Sequence, residues 1–457
     1  MTPGDDVPAD DKGTDGVRLT LLLLIVVAAA IHGARILSAP PVLIVNDQSR
    51  WSTIRALVDD GTYSIGRRFG RRYDGTYRDL GIVSEPGWWT VDQVLDPTTG
   101  RFYSSKPTLL PTVLAGEYWL LKKTLGWRIT ADRAKVARTI LLTINWVPFV
   151  WSLWLLARLL ERHAQTAWAR GLVMSAACFG TFVSTFLISL NNHTVAAAGV
   201  LFTLYHLLRI ELENRREGWR FAAVGGFAGW TACNELPAAS FAAGVLLWLW
   251  TISPHRTLWR AVPCAALPVI AYLGTQYMAF GNILPTYGRS DWYHYAGAYW
   301  NRPVGIDAVH EPKPVYALHL LVGHTGILSL TPLFLVGWLG MIRWSIRPDG
   351  DDVQRRVKRR LGGLTLLVTL VVFLFYVVRT HNYGGIASAP RWFLWLGPLW
   401  LITMIGELDR WASSRWGRRA AILLLAMSVV SATVTLANPW QPSWLLALFR
   451  DLNLVSY

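Results

Sequence analysis

The chain has 457 residues, 53% of them hydrophobic and only 16% charged, with 25 Trp and a formal net charge of +15. That composition excludes an ordinary soluble enzyme, because the apolar residues come in runs of about 17 to 24, enough to cross a bilayer at 1.5 Å per residue. The positive charge sits in short clusters between those runs, where membrane topology accounts for it and no nucleic-acid partner is called for.

The first seventeen residues, rich in Asp and Gly, read as a disordered cytoplasmic tail. An apolar run follows Arg18, from Leu21 to Ile31; its acidic start and its length argue for a retained anchor rather than a cleaved signal. Later apolar runs at about 136–157, 171–190, 194–210, 221–235, 238–253, 260–280, 320–342, 362–379, 392–408 and 419–437 bring the count to roughly eleven spans. The expected fold is therefore an all-α polytopic membrane protein. Its transmembrane domain covers 18–437, a large first outer loop covers 40–135, and 438–457 forms an outer C-terminal segment. Within the loop, Pro107 to Leu125 is amphipathic and too broken by charge to span, which suits an interfacial helix. The cysteines Cys178, Cys233 and Cys264 are too scattered for a disulfide framework or a CxxC metal site.

With the N-terminus placed inside, five Arg-rich loops, around Arg158 to Arg170, Arg215 to Arg220, Arg256 to Arg260, Arg355 to Arg360 and Arg410 to Arg419, all fall on the cytoplasmic side, as the positive-inside rule requires. The opposite loops hold Asn191 to His193, Asn234 and Glu235, Asn282 to His319 and His381 to Arg391. Polar chemistry thus gathers at one face.

Directly after the first span the chain reads VNDQSRWSTIRALVDD from Val45. Asp47 there is either an N-cap for a helix running to Val58 or a carboxylate poised at a membrane boundary to act as a base. Near the end of the same loop, Lys106 precedes Pro107 at the mouth of the amphipathic stretch, where a cation and free N–H groups could hold a phosphate or a lipid headgroup. Asn192-His193-Thr194 also matches a glycosylation sequon, a pattern common by chance.

Asp47-Gln48 followed by Arg50-Trp51, together with Lys106-Pro107-Thr108-Leu109, resembles the motifs of the GT-C superfamily of membrane glycosyltransferases. The nearer likeness is to the polyprenyl-phosphate-sugar mannosyltransferase and aminoarabinose-transferase group. That group carries Asp-Glu and Arg-Tyr after its first span and Lys-Pro-Pro-Leu before its second, so Gln48 stands where an acid is usual and Thr108 where a second proline is usual. The resemblance implies transfer of a sugar from a polyprenyl-phosphate donor to an acceptor on the non-cytoplasmic face of a plasma (inner) membrane. Asp47 would be the catalytic carboxylate. Arg50, Asp92, Lys106, Arg138, His324, Tyr383 and Arg391 would contact substrate, with Asp92 a candidate to pair with Asp47 and Lys106, Arg138 and Arg391 candidates for the phosphate. The expected partners are the lipid-linked donor and membrane lipids. No cofactor is required by these motifs, and a divalent cation, the sugar and the acceptor stay open. A transporter or flippase of a lipid-linked saccharide is the alternative; it would need polar groups at mid-bilayer rather than at one face.

Overall fold

The computed structural model describes residues 9–42, 45–71 and 77–457. Helix α1 spans Ala9–Ser38. It begins inside the stretch expected to be a disordered tail, because a helix once nucleated by the apolar span propagates outward at little cost; residues 1–8 of that tail lie outside the described residues. Further long apolar helices are α4 (Arg133–His163), α5 (Ala167–Ile188, interrupted at Gly180), α6 (Asn192–Leu212), α9 (Pro254–Phe280), α13 (Asp352–Arg379) and α16 (Arg415–Val434). With α1 this makes seven helices among the described residues that are long and apolar enough to cross a membrane, and the chain is a multi-pass membrane protein.

The remaining runs of the expected eleven form shorter or broken helices. The stretch 221–235 forms α7 (Gly218–Asn234) and 238–253 forms α8 (Ala239–Ile252), both short. The run 320–342 is broken into α10 (Lys313–Leu321), α11 (Ile327–Leu330) and α12 (Phe334–Ile346). The run 392–408 becomes a 3-10 turn over Arg391–Leu396 followed by α14 (Gly397–Thr403) and α15 (Ile405–Trp411). The last of these runs is interior. Residues 393–405 are buried throughout, and irregular backbone at membrane depth is tolerated where protein rather than lipid surrounds it.

Small residues bring helices close where lipid offers no hydrophobic drive. Gly225 and Gly229 of α7, one turn apart, face Ala261 and Ala265; a Cβ on either glycine would run into the opposing carbonyl. On the outside of the bundle, Leu267, Ile270, Met278, Leu247 and Trp259 are exposed and form an apolar belt.

Two ends are distinguishable by charge. Arg360 bonds Glu211 at 2.8 Å, Arg162 pairs with Glu213, Arg410 pairs with Asp349 at 2.5 Å, and Asp409 accepts from the Gln165 and Thr166 amides at 2.9 Å. Arg256 donates to the Arg216 carbonyl, and Arg18 lies 3.7 Å from Glu161. The five basic loops and the beginning of α1 thus share one end of the bundle.

The other end carries α2 (Val45–Asp59), α3 (Leu109–Leu125) and, against the all-α expectation, a four-stranded antiparallel sheet. Its strands β1 (Gly66–Arg71), β2 (Tyr77–Leu80), β3 (Gln93–Leu95) and β4 (Arg101–Ser104) lie in the order β2-β1-β4-β3, with Arg67 opposite Leu80, Gly66 opposite Phe102 and Val94 opposite Tyr103. The β3–β4 turn is shaped by Asp96, whose Oδ1 accepts from the Thr98 amide at 2.9 Å, and by Gly100 at φ +66. The second long loop covers this sheet: Trp292 stacks on Tyr103, Tyr295 meets Phe102 edge-on, and Trp300 Nε1 donates to the Val91 carbonyl at 3.0 Å. Aromatics that resemble an interfacial belt in sequence therefore form a packed layer. Helix α3 buries Leu110, Leu114 and Tyr118 and exposes Val113, Trp119, Leu120 and Leu125, an outward apolar face that suits an interfacial position.

Candidate active site

Asp47 lies in the first turn of α2 and is 1% exposed. One turn on, Arg50 is also buried; its Nε donates to Asn192 Oδ1 at 2.8 Å and its Nη1 to Asn46 Oδ1 at 3.1 Å. Asn192 is itself held by the Asn234 carbonyl at 3.1 Å. The sequon is thus buried and committed, and Asn192 is no glycan acceptor. Gln48, where the sequence resemblance leads one to expect an acid, donates to the Gly87 carbonyl at 2.9 Å. Thr108, which stands where a proline is usual, bonds Thr275 at 2.9 Å and Gln276 at 3.0 Å, tying the start of α3 to α9.

Asp92 does not pair with Asp47. Its Oδ1 takes Lys106 Nζ at 2.6 Å and its Oδ2 takes Asn46 Nδ2 at 2.6 Å, so it fastens the loop before β3 to α2 and to the entrance of α3. Lys106 is consequently not a free phosphate ligand, but a neutralised one. Arg391 reaches the same place from the far end of the chain. Nε and Nη2 donate to the Gly384 carbonyl at 2.9 and 2.6 Å, and Nη1 donates to His193 Nε2 at 3.2 Å. A guanidinium has no acceptor, so His193 Nε2 carries the lone pair and Nδ1 the proton, facing Glu235 Oε1 at 2.5 Å. Gly384 and Gly385, at φ +88 and +77, make the left-handed turn that presents that carbonyl.

Three cations crowd this pocket. Burial pulls Lys106 down to about 8, with Asp92 opposing and Arg50 and Arg391 reinforcing. Burial likewise lowers Arg50; Asp92, Tyr287 and Asp47 oppose that shift and Arg391 adds to it. Asp307 joins the group: burial raises it, while Tyr299, donating to its Oδ2 at 2.9 Å, and Arg391 hold it down. A set of desolvated cations that repel one another is stabilised by an arriving anion, above all a phosphate. Arg391 is met among the described residues by two uncharged acceptors, which leaves one N–H on each Nη uncommitted.

The structure therefore brings Asp47, Arg50, Asp92, Lys106 and Arg391 together. It does not bring Arg138, which sits at the start of α4 and donates to the Ala39 carbonyl at 3.2 Å, closing the end of α1. Nor does it bring His324 or Tyr383. Both belong to a neighbouring cluster around Glu311, where Tyr383 donates to Glu311 and His324 Nε2 lies 2.7 Å from Tyr457 OH. Asn46, Asn192, His193, Glu235 and Asp307 complete the site without having been assigned to it from sequence. Their only signal was clustering at loops on one face.

No protein-family model matches the chain, and no curated protein matches it. Among solved structures it is similar to ArnT from Cupriavidus metallidurans in the apo state, with 12% identity and a TM-score of 0.48 over 91% of this chain and 76% of that one. It is also similar to the Archaeoglobus fulgidus oligosaccharyltransferase in the apo form, with 12% identity and a TM-score of 0.46 over 93% of this chain and 57% of that one. The archaeal oligosaccharyltransferase AglB from Archaeoglobus fulgidus, in complex with an inhibitory peptide and a dolichol-phosphate, gives 13% identity and a TM-score of 0.39 over 93% and 56%. The chain spans little more than half the length of the archaeal proteins.

Proposed function

We propose that the chain is an integral-membrane glycosyltransferase that moves a sugar from a polyprenyl-phosphate donor to an acceptor hydroxyl on the non-cytoplasmic face. The observation that carries this reading is the convergence of Asp47, Arg50 and Arg391, from opposite ends of the sequence, in one buried pocket away from the basic loops. Asp47 takes the acceptor's proton as its oxygen bonds to the sugar's anomeric carbon; the bond from that carbon to the phosphate oxygen breaks, and the lipid phosphate leaves with an added negative charge. Arg391 and Arg50 stabilise that charge where it develops. Asp92 and Lys106 position α2 and the loop before α3.

The reading is tested by incubating the purified protein in lipid nanodiscs with a panel of polyprenyl-phosphate sugars and following release of the lipid phosphate. Turnover of one donor, lost in an Asp47 variant, is expected; binding and vectorial movement of an intact lipid-linked saccharide without cleavage would identify a transporter instead.

Activity should fall as pH rises through about 8, where Lys106 loses its proton and Asp92 its partner. The sign for stability is opposite. The folded value lies below the ordinary 10.5, so between those values the unfolded chain binds more protons, and this group's contribution to stability rises with pH. An alkaline loss of rate without loss of fold is thus the signature, and Lys106→Arg should move the limb upward because a guanidinium stays charged. A rate profile unchanged in that variant would remove Lys106 from the reaction.

A further inference from the structure

We infer that Glu311, His319 and His324 form a site for one zinc-type divalent cation that fixes the end of the second outer loop, 282–319, beside the turn whose Gly384 carbonyl holds Arg391. One ring nitrogen of each histidine and one Glu311 oxygen all lie within 4.8 Å of one another. The histidines come from the end of α10 and the turn after it, five residues apart, and their ring centroids are 4.2 Å apart. His324 is fully buried, while His319 and Glu311 keep 15% and 16% of their side chains exposed, enough for an ion to enter. Nδ1 of both rings is buried without a hydrogen-bond partner among the described residues. A buried ring nitrogen left without a partner is costly, and a metal ion is one thing that removes the cost.

The surroundings are those of a metal site's outer layer. Tyr383 and Tyr457 each donate to Glu311, the latter at 2.7 Å, and so fix its carboxylate. Tyr457 OH also meets His324 Nε2 at 2.7 Å, which orients that ring. Hydrogen bonds of this kind set the tautomer and raise the basicity of ligands. Two imidazoles and one carboxylate suit zinc better than the oxygen-seeking Mg²⁺ or Ca²⁺, and they leave a fourth position open. Gly323 completes the enclosure, since a Cβ there would run into the His319 ring. Tyr383 is the residue before Gly384, whose carbonyl holds Arg391, so an ion here would stiffen that turn.

This inference does not rest on the glycosyltransferase reading, and its readout is metal content. The full-length chain, purified in detergent, is stripped with a chelator, dialysed against Zn²⁺ and measured by elemental mass spectrometry. One zinc per chain is expected, and Co²⁺ in its place should give the visible absorption of a four-coordinate site. Glu311→Gln and His319→Asn, each checked for monodisperse elution, should lose the ion, while Tyr383→Phe should weaken zinc binding about tenfold and keep the stoichiometry. Replacing the exposed pair His310 and His381, whose rings are 5.5 Å apart, should change nothing. A wild-type chain without stoichiometric zinc, or full zinc retained in well-folded Glu311→Gln and His319→Asn, overturns the site and leaves a tyrosine–carboxylate hydrogen-bond network in its place.

Discussion

Asp47→Asn is expected to lower sugar transfer by about 10²- to 10⁴-fold, the usual contribution of a positioned general base. The substitution keeps the size of a side chain that is 1% exposed, so the first turn of α2 and the packing of Trp51 behind it should survive. The loss should appear in kcat at saturating donor, since the proton moves only in the transition state. Steady-state release of lipid phosphate measures it, with a thermal unfolding curve as the structural control. Near-normal turnover from the Asn variant would reduce Asp47 to a helix-terminal residue. Asp92→Asn is the informative contrast. It loosens the tie to Lys106 and Asn46 and should lower thermal stability as well as rate.

Arg391→Lys should hurt nearly as much as removal of the side chain. Losing a charge-assisted contact made to a leaving phosphate costs about 2 to 4 kcal/mol, roughly 30-fold to 1,000-fold in rate. An ammonium also has no planar fork with which to bond the Gly384 carbonyl and His193 together while still facing a ligand. Donor turnover in the Lys variant decides the matter, and a rate within a few-fold of wild type would leave Arg391 as a brace for the Gly384 turn.

The membrane character and the sharing of one end by the basic loops were legible because each is a local property of sequence. Long apolar runs, Arg clusters and Asp47 with Arg50 one turn on the same helix need no tertiary knowledge. The sheet was not legible. Its strands are three to six residues long, and Arg67, Arg68, Asp79 and Arg101 interrupt any alternation. What holds them is the aromatic layer from a loop some 200 positions away. The breaks within the apolar runs were hidden for the reverse reason. An apolar run such as 320–342 looks like a span whether it crosses lipid or folds back inside protein. The partner of Lys106 was equally hidden, since nothing in the spacing distinguishes Asp92 from other loop acids.

The cover on the sheet has a consequence for biosynthesis. Val91 and Trp300 are separated by 209 positions, and His193 and Arg391 by 198. At elongation rates of about 5 to 20 residues per second, each first partner waits about 10 to 40 seconds for the second to leave the ribosome. During that interval the sheet's aromatic face and the pocket's buried polar groups are open; the sheet is covered once Trp300 has emerged, and the pocket closes only once Arg391 has. A nascent chain arrested before Arg391 would therefore carry Asp47, Arg50 and the Asp92–Lys106 pair in an unclosed cleft, where a membrane protease or chaperone can recognise it as unfinished.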